Sequence, residues 1–203
     1  MIRKTFQVLP LVLAVAATAA LAGEPLAIGG AMPMSDTKMK HVDGTELTLA
    51  QVAKPAGTLV VFTCNHCPFA KAWESRIVAL GNTYEAKGVG VVAINSNDPA
   101  KNAEDGFDGM QKRAKDLGMK FPYVVDATSG VAKGFGATRT PEVFLFDKSG
   151  KLVYHGAIDD NRKQPDKVQA RYLKDALDAV LAGKAPAVTE TKSLGCGIKF
   201  RAN

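Results

Sequence analysis

Residues 58–63, Thr-Leu-Val-Val-Phe-Thr, form an apolar, β-branched run that stops at a cysteine, and this junction constrains the fold more than any other feature of the chain. A run of that length and composition reads as a strand buried on both faces. From Pro68 onward the apolar residues Phe69, Trp73, Ile77, Leu80 and Tyr84 recur every three or four positions, which is one face of a helix, and Gly88 closes it. Pro68 suits a first helical turn, where its missing amide would have no partner anyway. Between strand and helix stands Cys64-Asn65-His66-Cys67.

The remaining pattern extends this strand-helix unit into an α/β fold. Val89 to Ile94 reads as a second buried strand and Asn102 to Leu117 as a second helix ended by Gly118. Phe121 to Val125 reads as a short extended link, and Ser129 to Phe135 as a helical turn. Glu142 to Phe146 and Leu152 to Tyr154 flank Asp147-Lys148-Ser149-Gly150, a hairpin turn. Asp166 to Leu181 is expected to form a final helix stopped by Gly183. Upstream, Met39 to Val42 and Glu46 to Leu49 flank Asp43-Gly44 as a small N-terminal β-hairpin. No repeat or linker divides the chain, so the expected organisation is a signal segment at 1–22, one domain at 23–185 and a tail at 186–203 that carries Cys196. The predicted architecture is a central mixed β-sheet flanked by helices, its first two strands parallel with a right-handed crossover.

The first 22 residues read as an address. Arg3 and Lys4 precede an apolar stretch from Val8 to Leu21, and Ala20-Leu21-Ala22 offers small residues at the positions signal peptidase accepts, so cleavage is expected before Gly23. The apolar run falls short of the roughly 20 residues a membrane span needs, which disfavours a retained anchor. The expected product is periplasmic or secreted, with no stable membrane insertion. A domain of this size buries roughly 70% of its unfolded surface, so it needs no disulfide framework or structural metal. The three cysteines therefore call for a chemical explanation. Without Arg3 and Lys4 the chain keeps 24 basic against 20 acidic residues, spread along its length, which reads as a solvated surface and not a nucleic-acid interface.

Two thiols with two residues between them at a helix start can bridge without moving the backbone, and the first faces unpaired amides that lower its pKa. Cys64 is thus the candidate nucleophile and Cys67 the resolving partner. A structural zinc site would need further ligands at finger-like spacing, whereas Cys196, His41 and His155 are scattered, so no metal or cofactor is expected. A Cu(I)-handling module using Cys64, Cys67 and a histidine is the metal alternative, since soft thiolates suit that ion.

These residues resemble the thioredoxin superfamily over nearly the whole expected domain. Cys64 and Cys67 match its redox pair, Pro68 the proline that follows, and Thr140-Pro141 its cis-proline loop, whose backbone edge pairs with a substrate chain. More specifically, Phe62 to Phe69, Asp159-Asp160 and Gly195-Cys196-Gly197-Ile198-Lys199-Phe200 look like the peroxiredoxin-like, redoxin-domain group related to AhpC/TSA proteins. The resemblance implies a thiol:disulfide oxidoreductase acting on protein or small-molecule disulfide substrates, with a redox partner that recycles the cysteine pair. His66 stands where protein disulfide isomerase also has a histidine, and it is expected to stabilise the Cys64 thiolate and raise the potential above thioredoxin's roughly −270 mV.

The sequence also departs from its relatives. Thr58 replaces the buried aspartate of thioredoxins and Ala70 the glutamate of cytochrome-maturation relatives, while periodicity puts Lys71 and Glu74 on a solvated helix face, so no general base is assigned. A peroxiredoxin alignment on Cys67 puts Cys64 where a threonine belongs and Val60 where a proline belongs. Peroxidase or antioxidant activity is therefore the second reading, with Arg139 as a candidate accessory guanidinium. Cys196 has three open fates: pairing between chains, acting as a second resolving thiol, or packing inertly under the tail.

Overall fold

The computed structural model of the chain describes residues 26–202, so the expected signal peptide lies outside the described residues. Met39–His41 (β1) and Glu46–Leu47 (β2) form the expected hairpin, with Gly44 at a positive φ of 96° that favours a residue without Cβ. The second arm does not run on as a strand to Leu49. Thr48 accepts from the Gln51 amide while the Gln51 side chain accepts from the Thr48 amide, and this capping box starts a short helix, Leu49–Val52 (α1).

Thr58–Phe62 (β3) is buried along its whole length, and Pro68–Glu85 (α2) follows with Cys67 as its N-cap. Gly90–Asn95 (β4) pairs parallel with β3, Val60 opposite Val92. The helix expected from Asn102 is broken. The Asn102 side chain accepts from the Glu104 amide and holds a 3-10 turn at Ala103–Asp105, and only after Gly106 does Phe107–Asp116 (α3) begin. That break turns Asp105 into the interior. Tyr123–Val125 (β5) is a sheet strand parallel to β4 and not a link, followed by Gly130–Phe135 (α4).

Arg139–Thr140 (β6) leads into the hairpin of Glu142–Phe146 (β7) and Leu152–Gly156 (β8). The last helix, Tyr172–Leu181 (α5), is shorter than periodicity suggests. Pro165–Lys167 is a separate 3-10 turn, and the backbone at 169–170 is bonded to Asp160, whose Oδ1 accepts from the Gln169 amide and whose N–H donates to the Ala170 carbonyl. Cys196–Gly197 (β9) pairs with β6.

Seven strands form the main sheet in the order β2-β1-β5-β4-β3-β7-β8, with β3, β4 and β5 parallel and the rest antiparallel to their neighbours. Because alternate side chains face opposite sides, the buried strands feed two cores. Leu59, Val61, Val91, Val143 and Leu145 pack under Trp73 and Tyr84 of α2 and Leu173 and Leu177 of α5. Val60, Phe62, Val92, Phe144 and Phe146 pack against Leu49 of α1 and Phe135 of α4. This is the expected α/β sandwich. Among the described residues, no helix is long and apolar enough to cross a membrane.

On the second face Phe62, Phe135 and Phe144 meet edge to face with ring centroids 5.2–5.7 Å apart. Phe144→Ala is expected to lower unfolding free energy by about 3–5 kcal/mol. The loss is read from the urea midpoint at unchanged slope.

Candidate active site

The amide of Thr63 donates to the Ile94 carbonyl at 2.9 Å, which carries the β3 ladder one residue past the strand and delivers Cys64 at the C-terminal end of the parallel strands. Both Cys64 and Cys67 are free thiols, Cys64 4% exposed and Cys67 fully covered. Thr140 holds them from the other side. Its hydroxyl lies 3.2 Å from Cys64 Sγ, and its carbonyl oxygen lies 3.2 Å from Cys67 Sγ. The Thr140–Pro141 peptide is cis, as expected.

The edge expected to await a substrate chain is filled by the protein itself. In β9, Cys196 stands opposite Thr140 and Gly197 opposite Arg139, and the Ile198 amide donates to the Thr138 carbonyl at 2.9 Å. Cys196, left with three open fates by the sequence, packs with Phe69 against the buried cluster of Cys64, Cys67 and Ala70.

The two thiols ionise as one unit. Their mutual hydrogen bond is the largest influence on each: with burial, it keeps the Cys64 proton far above the ordinary thiol range, and it lowers Cys67 to about 4 despite burial, aided by Cys196 and by the Ala70 amide. Fully reduced, the pair therefore does not carry the low-pKa Cys64 that the helix-start argument predicts. The helix N-cap is Cys67, not Cys64, and it takes the amide field. The contact with the Thr140 carbonyl works the other way, because only a protonated Cys67 can donate to it, leaving the Thr140 hydroxyl to donate to a Cys64 thiolate. One negative charge is thus shared by the pair, and the proton that remains sits between the sulfurs.

Beneath the pair is a residue that sequence reasoning missed. The Asp105 side chain is fully buried and accepts from the Asn65 amide at 2.7 Å, Asn97 Nδ2 at 2.9 Å and His66 Nδ1 at 2.5 Å. Its negative charge raises the Cys64 thiol further. His66, expected to act on Cys64, is hydrogen-bonded to this carboxylate instead, so any positive charge on its ring is opposed at close range. Asp105 lies 41 positions after Cys64 in an unpatterned Ala-Glu-Asp triplet; only the Asn102 cap, which breaks the helix there, hints at it. The two side chains considered as bases have other partners, Lys71 with Glu104 at 2.9 Å and Glu74 with Arg113 at 2.5 Å.

Cys64, His66 and Asp105 each offer one ligand atom, all within 4.8 Å of one another. This mixed sulfur, nitrogen and oxygen set differs from the two thiolates and a histidine of the copper reading, and it suits a borderline ion better than Cu(I).

The AhpC/TSA family description matches residues 28–155, which include β3, both vicinal cysteines and the Thr140–Pro141 loop. The chain belongs to the AhpC/TSA family. It is 28% identical over 127 residues to the thiol-disulfide oxidoreductase ResA of Geobacillus thermodenitrificans, a match covering 63% of this chain and 67% of that one. A solved structure of an uncharacterized conserved protein from Geobacillus kaustophilus is 38% identical, with a TM-score of 0.82 over 93% of this chain and all of that one. A thioredoxin-like protein solved in its oxidised form superimposes at a TM-score of 0.60 with 20% identity over 76% of this chain and 97% of its own, which marks the fold as thioredoxin-like. The chain is a thioredoxin-like oxidoreductase of the AhpC/TSA family.

In this AhpC/TSA chain the loop beside the thiols is fixed by hydrogen bonds to a buried carboxylate. Glu142 Oε1 lies 2.8 Å from His155 Nε2, and Glu142 Oε2 accepts from the Thr138 and Arg139 amides at 2.8 and 2.9 Å. The Arg139 guanidinium, expected near a peroxide, is exposed and donates to the Gly195 carbonyl at 3.1 Å. Asp159 of the Asp159-Asp160 pair is buried and accepts from Trp73 Nε1 at 2.8 Å and from Arg76 Nη1 at 2.5 Å, which ties α2 to the loop after β8.

Burial pushes the Glu142 carboxyl up, but the bonds from His155 and the two amides outweigh it and hold the group below its ordinary value. Its ionised form therefore stabilises the fold above the unfolded-chain value of about 4.3, and that contribution is lost as pH falls through the lower folded value. Glu142→Gln is expected to be destabilised by about 1–3 kcal/mol at neutral pH, the gap to wild type closing on acidification below about pH 4, as read by urea titrations at several pH values. Removing the Asp105 charge has the opposite sense for the thiol. In Cys67→Ala protein, where Cys64 titrates alone, Asp105→Asn is expected to move the iodoacetamide alkylation midpoint about one pH unit lower.

Proposed function

We propose that this protein is an exported thiol:disulfide oxidoreductase that exchanges disulfides with protein substrates through Cys64 and Cys67. The observation that carries this reading is the pair itself: two free thiols, packed in one buried cluster and hydrogen-bonded to opposite ends of Thr140, at a strand-to-helix junction next to a cis proline. Similarity to the ResA thiol-disulfide oxidoreductase supports it. Export rests on Arg3 and Lys4, the apolar stretch after them and Ala20-Leu21-Ala22.

Cys64 is the more accessible sulfur and makes the attack. As a substrate disulfide approaches, the shared proton passes to Cys67, where the Thr140 carbonyl accepts it, and the Thr140 hydroxyl donates to the Cys64 thiolate. Cys64 bonds to one substrate sulfur, and the other leaves as a thiolate and takes up a proton. That proton comes from Cys67, and the Cys67 thiolate then attacks Cys64 Sγ, breaking the mixed disulfide and expelling the second substrate sulfur as a thiolate that water protonates. Two electrons pass from the pair to the substrate, and the same steps run in reverse when the pair arrives oxidised. His66 and Asp105 set the electrostatics beneath this exchange, Asp105 by opposing charge on Cys64 and His66 by tempering Asp105. A substrate backbone gains the Arg139–Thr140 edge only when β9 yields it.

Insulin reduction and hydrogen peroxide consumption, measured in parallel on wild type and Cys64→Ser, test the reading. Wild type is expected to reduce insulin with dithiothreitol as the recycling reductant, and Cys64→Ser to fall to the buffer rate. Peroxide turnover without insulin reduction would replace this function with a peroxidase.

A further inference from the structure

The exchange just described uses two of the three thiols that meet at Thr140. We infer that Cys196 is a third redox residue of this site, presented by β9 to Cys67, and that it exchanges with the Cys64–Cys67 disulfide to give a Cys67–Cys196 disulfide. This inference rests on the thiol:disulfide reading of the pair.

Three observations carry it. Thr140 bonds to both vicinal sulfurs and faces Cys196 across the β6–β9 pairing, so one residue fixes all three thiols relative to one another. Cys196 also packs directly on the cluster of Cys64, Cys67 and Ala70, close enough to Cys67 for each thiol to influence the other's ionisation. Finally, the segment is held in one register. Ile198 is buried, the Lys199 amide donates to Asn97 Oδ1 at 2.8 Å, the Asp98 amide donates to the Lys199 carbonyl at 2.7 Å, and the Arg201 amide donates to Ser129 Oγ at 3.0 Å. Gly195 permits the approach, because a Cβ there would lie 2.3 Å from the Thr140 carbonyl oxygen. A strand that served only to cover apolar surface would gain from bulk at this point. Here the backbone is brought in close, with a thiol next along the chain.

The step balances without a new oxidant. Once substrate exchange has formed Cys64–Cys67, Cys196 gives up its proton and its thiolate attacks Cys67 Sγ. The Cys64–Cys67 bond breaks as the Cys67–Cys196 bond forms, and Cys64 leaves as a thiolate that takes up the proton. No electrons are gained or lost overall. Cys64 becomes a free nucleophile again, while the oxidising equivalent rests on the strand that covers the substrate edge, where the recycling partner can meet it. Burial raises the Cys196 thiol, so the exchange should quicken as pH rises.

Non-reducing mass spectrometry tests this on the full chain. Trypsin cuts after Lys192 and Lys199, so peptide 193–199 carries Cys196 apart from the peptide that holds Cys64 and Cys67. After oxidation with glutathione disulfide, acid quench and alkylation, wild type is expected to yield peptide 193–199 cross-linked within the monomer, alongside the internal Cys64–Cys67 bond. Oxidised Cys64→Ser should form Cys67–Cys196 as its intramolecular disulfide. Gly195→Ala, with its fold checked by circular dichroism, should lose most of the cross-link and keep Cys64–Cys67. If Cys64–Cys67 forms while peptide 193–199 is recovered only as the alkylated thiol or as a covalent dimer, the inference is overturned and the proposed function stands. An undiminished cross-link in Gly195→Ala would remove β9 presentation from the argument, and absence of every intramolecular disulfide would defeat the reading of the pair itself.

Discussion

Thr140 is the residue on which the rest of the site depends. Its hydroxyl meets one vicinal sulfur, its carbonyl meets the other, and its backbone pairs with the strand that carries the third cysteine. A hydroxyl can give or accept a proton and a carbonyl can only accept, so the two ends of one residue treat the two thiols differently. That asymmetry assigns the attacking and resolving roles in the proposed exchange. It holds only while the loop is rigid, and Glu142 makes it so by taking the amides of Thr138 and Arg139 while it is itself paired with buried His155.

The second constraint is a buried carboxylate. Stripping Asp105 of water costs several kcal/mol unless the lost hydrogen bonds are replaced. Here they are, by Asn65, Asn97 and His66, and Asn65 is held in turn by the Tyr123 hydroxyl at 2.9 Å. The network ties the loop between the cysteines to β4, β5 and the turn before α3, so the sheet frame and the thiol environment form one mechanical unit. It also opposes the electrostatic role that a histidine in this loop suggests. A ring bonded to a carboxylate lends less positive charge to a nearby sulfur than a free ring would.

Much of the frame was legible because burial imposes simple periods. The runs at 59–62 and 143–146 are apolar throughout since both of their faces are covered, and the apolar positions of α2 recur at helical spacing since one of its faces is. Misreadings fell where a local side chain overrules the period. Thr48 and Gln51 cap a helix where a strand had been extended, Asn102 caps a 3-10 turn inside an expected helix, and Asp160 captures the backbone at 169–170 and delays α5. Capping and loop capture are single hydrogen bonds to the backbone, which a hydrophobic pattern cannot register.

The sequence by itself determined the redox pair and its place between a buried strand and a helix, because adjacent residues and short-range propensities encode both; the proline loop that meets the pair was implied by the family resemblance. Tertiary structure alone decided which groups surround the sulfurs. Asp105 is 41 positions from Cys64, Thr140 is 76 positions away, and Cys196 is farther still, so their convergence depends on strand order and the β6–β9 register. Local pattern carries no term for that distance. The proton's place between the two thiols follows first from their interaction with each other, and Asp105, Thr140 and Cys196 adjust it; it differs from what the helix start alone implies because Cys67, not Cys64, occupies the cap.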